Sequence, residues 1–302
     1  MSRIFEALQR AELERKTNPG LDDNELLETA VISAAPIYQE PAVETAVGLD
    51  DIARYPWKPL VASFPTLADR GAGVEQFRSL RSRIFQARYE APVKTLLISS
   101  GLPSEGKSFV AANLAMSLVR NSANNILLID GDLRRPTLHK LLGAPEVPGL
   151  SEYLAGTAEI KDILQRAENP KAEAAVDAGG LANLTFIPSG KCGDNSSELV
   201  ANRRVEELIA TLAPHFDWIL IDSPPVLAVT DAVELAHAAD AVLLIARGGS
   251  TTYATAQVTQ STFSSSRILG FVLNDVKEVP RGGYSYYNYY GARETAGLPQ
   301  RP

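Results

Sequence analysis

Short, almost wholly apolar runs alternate along this chain with stretches whose apolar residues recur at helical spacing. The runs are "TLLISS" (95–100), "NILLID" (125–130), "LTFIP" (184–188), "WILIDS" (218–223), "AVLLIA" (241–246) and "ILGFVLN" (268–274). They are rich in β-branched residues and nearly free of polar positions, the pattern of strands covered on both faces. Between them, "SFVAANLAMSLVRN" and "SSELVANRRVEELIATLA" place apolar residues three and four apart and read as helices. Regular strand–helix alternation predicts an α/β fold, a mostly parallel sheet flanked by helices. No internal repeat is visible.

The pattern changes at both ends. Ile4, Phe5, Leu8 and Ala11 fall on one helical face, with Arg3, Glu6, Arg10 and Glu14 around them, and Asn18 to Gly20 ("NPG") stops the run. This predicts a short amphipathic helix, which either docks a partner or folds back on its own domain. Eight acids and no lysine or arginine follow between Leu21 and Asp51, with Pro36, Pro41 and many small residues, the composition of a disordered linker. At the other end "GGYSYYNYYG" packs Tyr284, Tyr286, Tyr287, Tyr289 and Tyr290 into one stretch with no aliphatic residue to alternate with. It reads as a flexible tail rather than a strand. The expected organisation is therefore an amphipathic helix (1–20), an acidic linker (21–56), a folded domain (57–276) and a tyrosine-cluster tail (277–302).

Composition narrows the function classes. The 302 residues are 45% hydrophobic and 22% charged, and the net charge of −7 is concentrated in the linker, so the remainder sums to about +1. No nucleic-acid partner is expected. No run reaches the roughly 18 apolar residues of a membrane span, and the charged start does not resemble a signal peptide, which points to the cytoplasm. A single cysteine, Cys192, excludes an internal disulfide and a multi-cysteine zinc site. His139, His215 and His237 show no metal-ligand spacing and read as structural.

Candidate chemistry sits at strand ends. "GLPSEGKS", Gly101 to Ser108, matches G-x-x-x-x-G-K-[ST] between a strand and a helix, the context that motif requires. Its backbone N–H groups can face phosphate oxygens, Lys107 adds a cation toward the β and γ phosphates, and the Ser108 hydroxyl can ligate Mg²⁺. Ser104, Glu105, Gly106 and Phe109 complete the candidate nucleotide-binding loop. Two further strands end in carboxylates, Asp130 and Asp132 in "ILLIDGDLRRP" and Asp222 in "WILIDSPP". In an open parallel sheet such ends line one crevice. Mg²⁺ bridging two phosphates needs one or two carboxylates, so Asp132 and Asp222 join Ser108 as candidate ligands, and Asp130 is left to accept a proton. Each aspartate taken singly could be a helix cap or a turn residue.

These motifs resemble those of the bacterial tyrosine kinases, the autokinases of capsule and exopolysaccharide systems, over about Glu75 to Asn274 and again in the tail. That family's second phosphate-site motif, called Walker A′, matches "LLIDGDLRRP" and its Walker B motif matches "ILIDSPP". Septum-positioning and plasmid-partition ATPases carry a lysine directly after the first loop glycine, where this chain has Leu102. That departure favours the kinase, and a partition-type ATPase acting as a nucleotide switch is the alternative reading that Leu102 and the tail argue against. The resemblance implies an ATP- and Mg²⁺-dependent tyrosine kinase that modifies its own tail cluster, with Asn274 near the adenine. It implies a ring, an octamer in the family, built through Glu75, Arg78 and Arg81 of "EQFRSLR". It also implies a membrane chain-length regulator as activator, recruiting the enzyme to the inner face of the plasma membrane, and a cognate tyrosine phosphatase.

Overall fold

A computed structural model describes residues 52–67, 71–120, 124–168, 181–191 and 196–276. The amphipathic helix, most of the linker, Cys192 and the tyrosine cluster lie outside the described residues. Eight strands form one sheet: β1 (Ala53–Tyr55), β2 (Thr95–Ser100), β3 (Ile126–Asp130), β4 (Gln165–Ala167), β5 (Leu184–Ile187), β6 (Trp218–Asp222), β7 (Ala241–Arg247) and β8 (Ile268–Asn274). Their order is β1-β4-β5-β3-β6-β2-β7-β8. Every pairing is parallel except β4 with β5. The predicted architecture is thus the observed one.

All six apolar runs are strands, and β2, β3, β5 and β6 are buried along their whole length. A parallel strand between helical layers has no wet face, so polar residues are tolerated only at its ends or where a partner satisfies them, as Arg166 does for Thr185 of β5. The run 268–274 departs from that expectation. Among the described residues β8 pairs only with β7, and Phe271 and Leu273 on it are 42% and 60% exposed. An apolar run reports strand propensity but not whether the strand lies at an edge. Sequence reading also missed β1 and β4, whose "ARY" and "QRA" carry no apolar run. Because β1 pairs with β4, the sheet begins at Ala53, inside the segment 21–56 read as linker.

Nine α-helices are found among the described residues. α1 (Ala72–Glu90) packs on α2 (Lys107–Arg120), which runs against the sheet and is buried almost all round, from Val110 through Val119. Side chains such as Leu114, Met116 and Leu118 are fully buried there, each worth about 1.5–3 kcal/mol relative to exposure. α3 (Leu138–Leu142), α4 (Leu150–Leu154) and α5 (Ile160–Ile163) follow β3. The stretch read as one helix over 196–213 is two, α6 (Ser196–Val200) and α7 (Arg204–Leu212). α8 (Asp231–His237) and α9 (Tyr253–Thr262) complete the set. No helix among the described residues is long and apolar enough to cross a membrane.

Candidate active site

The sheet order sets three strands side by side, β3, β6 and β2, and their C-terminal ends carry the sequence-predicted chemistry. Asp130 and Asp222 are register partners across β3 and β6, while the phosphate loop leaves β2 next to them. Gly131 lets the two strand ends close up: its N–H donates to the Asp222 carbonyl at 2.8 Å, and a Cβ there would meet that same oxygen at 2.7 Å.

The loop is held from behind by side chains. Glu105 is buried, its Oε2 accepting from the Leu102 N–H at 2.8 Å and its Oε1 from the Thr251 hydroxyl. The Asn274 amide donates to the Glu105 carbonyl at 3.0 Å. Arg247 reaches the Ser104 carbonyl at 3.3 Å while paired to Asp275 at 2.7 Å. These bonds stabilise an unfavourable backbone at Ser104, a non-glycine residue with φ +63°, while Gly106 takes φ +96° at no such cost. Any side chain at position 106 would also run into Asn274. Thr251→Val is expected to slacken the loop, weakening nucleotide binding several-fold while the fold persists, as a melting curve beside a binding titration would show.

In front of the loop lies a cavity of about 670 Å³. Ser104, Gly106, Lys107, Ser108, Phe109 and Asp132 line it. Gly101, Glu105, Asp130, Asp222 and Asn274, also proposed from sequence, do not. Gly101 instead faces Thr255 and Thr259 of α9. Glu105 and Asn274 engage the loop itself. Sequence reasoning gave no role to Arg134 and Arg135, although they lie in the stretch matching Walker A′, and missed Thr137 and Lys140 beyond it; all four line the cavity. For the two arginines the signal was "RRP" at 134–136, separated from Asp132 by Leu133.

The three aspartates differ in environment. Asp130 is fully buried; its Oδ2 accepts from the Thr137 and Leu138 N–H groups at 3.2 and 3.0 Å, and its Oδ1 has no hydrogen-bond partner. Burial, then the neighbouring Asp222 carboxylate, holds its carboxyl well above the usual carboxylate range. Asp222 is equally buried and pushed up to about 7 by that burial, with the Lys107 ammonium and the Ser108 hydroxyl pulling the other way. Neither Asp222 oxygen has a donor in hydrogen-bonding geometry, so Ser108 lies near it without closing a bond. Asp132 accepts from the Arg135 N–H at 3.0 Å.

A buried carboxylate without donors, beside a serine hydroxyl and a phosphate cradle, fits a small hard cation. No group of three or more His, Cys, Asp or Glu side chains converges among the described residues. The donor set is thus too sparse for an all-protein cage and suits Mg²⁺, which keeps water and phosphate oxygens as ligands.

Glu75, Arg78 and Arg81 lie together on α1. Glu75 and Arg78 form an exposed ion pair at 2.7 Å. Arg81 points the other way, donating to the Ser117 carbonyl at 2.6 Å and to its hydroxyl at 3.2 Å, and so fastens α1 to α2.

No family model matches the chain. It is 34% identical over 281 residues to tyrosine-protein kinase wzc of Salmonella typhimurium, covering 90% of this chain but 37% of that protein. It is 32% identical over 222 residues to tyrosine-protein kinase YwqD of Bacillus subtilis, covering 73% of this chain and 87% of that protein. The kinase domain of the Escherichia coli tyrosine kinase ETK superposes with a TM-score of 0.61 at 32% identity, over 70% of this chain and 79% of that one. With 87% of a 32% identical tyrosine-protein kinase covered, and a phosphate loop set against strand-end carboxylates, the chain belongs to the bacterial tyrosine-protein kinase family.

Proposed function

We propose that this chain transfers the γ-phosphoryl group of Mg·ATP to tyrosines of its own C-terminal cluster, Tyr284, Tyr286, Tyr287, Tyr289 and Tyr290, on a neighbouring copy. The observation that carries this reading is the juxtaposition of the phosphate loop with Asp130 and Asp222 on adjacent strands, in a member of a tyrosine-kinase family. The loop N–H groups and Lys107 hold and neutralise the phosphates. Ser108, Asp222 and Asp132 would hold Mg²⁺, which when bound supplies charge neutralisation across the β and γ phosphates. The tyrosine oxygen forms its bond to the γ-phosphorus as the bond to the β,γ-bridging oxygen breaks, and ADP leaves. The phenolic proton passes to Asp130, whose Oδ1 has no hydrogen-bond partner; because that oxygen is buried behind the cavity, the incoming tyrosine must displace the wall to reach it, whereas Asp132 is the carboxylate that already lines the cavity.

Asp130→Asn is accordingly expected to lower kcat by about 10²- to 10⁴-fold with little change in the KM for ATP. A near-normal kcat in that variant beside a large loss in Asp132→Asn would move the base to the carboxylate that lines the cavity. The reading as a whole is tested by incubating the purified chain with Mg·ATP and mapping phosphotyrosine by mass spectrometry. Phosphate absent from all five tail tyrosines would overturn it.

The same reading places the enzyme in the cytoplasm at the inner face of the plasma membrane, regulating capsule or exopolysaccharide synthesis and export. A membrane adaptor activates it and a cognate phosphatase resets it. Glu75 and Arg78, exposed on α1, carry the ring contact, and Arg81 fixes the helix that presents them.

A further inference from the structure

The wall of the cavity carries more positive charge than a metal-bound nucleotide calls for. Lys107, Arg134, Arg135 and Lys140 all line it, against the single carboxylate of Asp132. Arg134 is already engaged: its Nε pairs with Asp231 at 3.2 Å and its Nη2 donates to Ser197 at 2.7 Å, while Ser197 donates to the same aspartate at 2.7 Å. Arg135 and Lys140 are exposed, and neither has an ion pair among the described residues.

Both are nevertheless held close to the reaction centre through their backbone. The Arg135 N–H is bonded to Asp132, and α3, which carries Lys140, is anchored at its start by the two hydrogen bonds to Asp130. Two unpaired cations so placed fit an anion that enters with the second substrate. The tail sequence provides one after the first turnover. Its five tyrosines fall within 284–290, one to two residues apart, so a modified ring and the next acceptor are separated by about 3–7 Å of extended chain. A phosphotyrosine dianion accepts charge-assisted hydrogen bonds from guanidinium and ammonium groups.

We infer that Arg135 and Lys140 form a phosphotyrosine subsite, so that each phosphate already on the tail directs a neighbouring tyrosine toward the γ-phosphate. The inference rests on the tail being the substrate, as proposed above. Charge at the crevice then favours continued modification of one segment over a fresh start on another.

The test uses the full chain with its five tail tyrosines changed to phenylalanine, so that it acts only on added peptides. These are versions of "GGYSYYNYYG" in which one tyrosine, that of Tyr289, is the sole acceptor. The positions of Tyr286 and Tyr287 hold phenylalanine in the reference peptide, and each in turn holds phosphotyrosine in the other two. At least one phosphorylated peptide is expected to show a kcat/KM about tenfold above the reference. In Arg135→Gln with Lys140→Gln that ratio should fall to about one. Ratios of one or less in the parent, or a raised ratio that survives the double change, overturn the subsite. A tenfold rise in the KM for ATP in the double variant also overturns it, because the two cations then serve the nucleotide. If no peptide is phosphorylated at all, the tail reading fails and this inference with it, an outcome distinct from a ratio of one.

Discussion

Lys107→Met is expected to reduce tyrosine phosphorylation by on the order of a thousandfold while leaving the fold in place. Lys107 opens α2, is only 7% exposed, and lines the cavity with Ser108 and Asp132. It is also the strongest favourable influence on the ionised Asp222, which burial otherwise penalises. Removing the ammonium deletes the cation proposed to face the β and γ phosphates and makes Asp222, the proposed metal ligand, harder to ionise. Both effects act in the same direction on transfer. Methionine fills similar volume without introducing a polar group, so the melting temperature should move little. Mass spectrometry of the tail and a thermal melt on matched samples check both halves. Phosphorylation within tenfold of the parent would remove Lys107 from the mechanism.

Asp222→Asn should separate stability from activity. A fully buried carboxyl that ionises near 7, against 3.8 in its ordinary setting, is penalised on ionising by up to about 4 kcal/mol. Its folded-state pKa is raised, so its contribution to stability is fully present below pH 3.8 and is lost as pH rises through about 7. In chelator-treated, nucleotide-free buffer the asparagine variant should therefore melt above the parent at pH 8, and the difference should shrink toward pH 4. If Asp222 serves as the proposed metal ligand, transfer with Mg·ATP should fall by at least 10²-fold, because a neutral amide then replaces an anion. Comparing melts at the two pH values with one activity assay decides it. A variant less stable than the parent at pH 8 would mean that the Asp222 charge is already compensated in the metal-free protein.

The order in which strands meet explains which of these features could be read from the chain alone. Strand identity and phosphate-loop position follow from local pattern: an apolar run, then glycines, then helical spacing. The aspartates ending 126–130 and 218–222 were legible for the same reason. Their relationship was not. That Asp130 sits directly beside Asp222 depends on β3 and β6 being neighbours, and no periodicity reports a crossover.

The amino-acid sequence by itself determined the parallel α/β architecture, the phosphate loop at Gly101–Ser108 and the family, because these depend on side chains a few positions apart. Tertiary structure alone decided the rest. It drew Thr251 onto Glu105 across 146 positions and Arg134 onto Asp231 across 97, and it turned Arg81 inward while leaving Arg78 exposed. It added β1 and β4, whose residues form strands only because a sheet edge offers them hydrogen-bond partners. It also divided three similar aspartates into one lining the cavity and two buried behind it, since burial and hydrogen-bond partners come from groups remote in sequence.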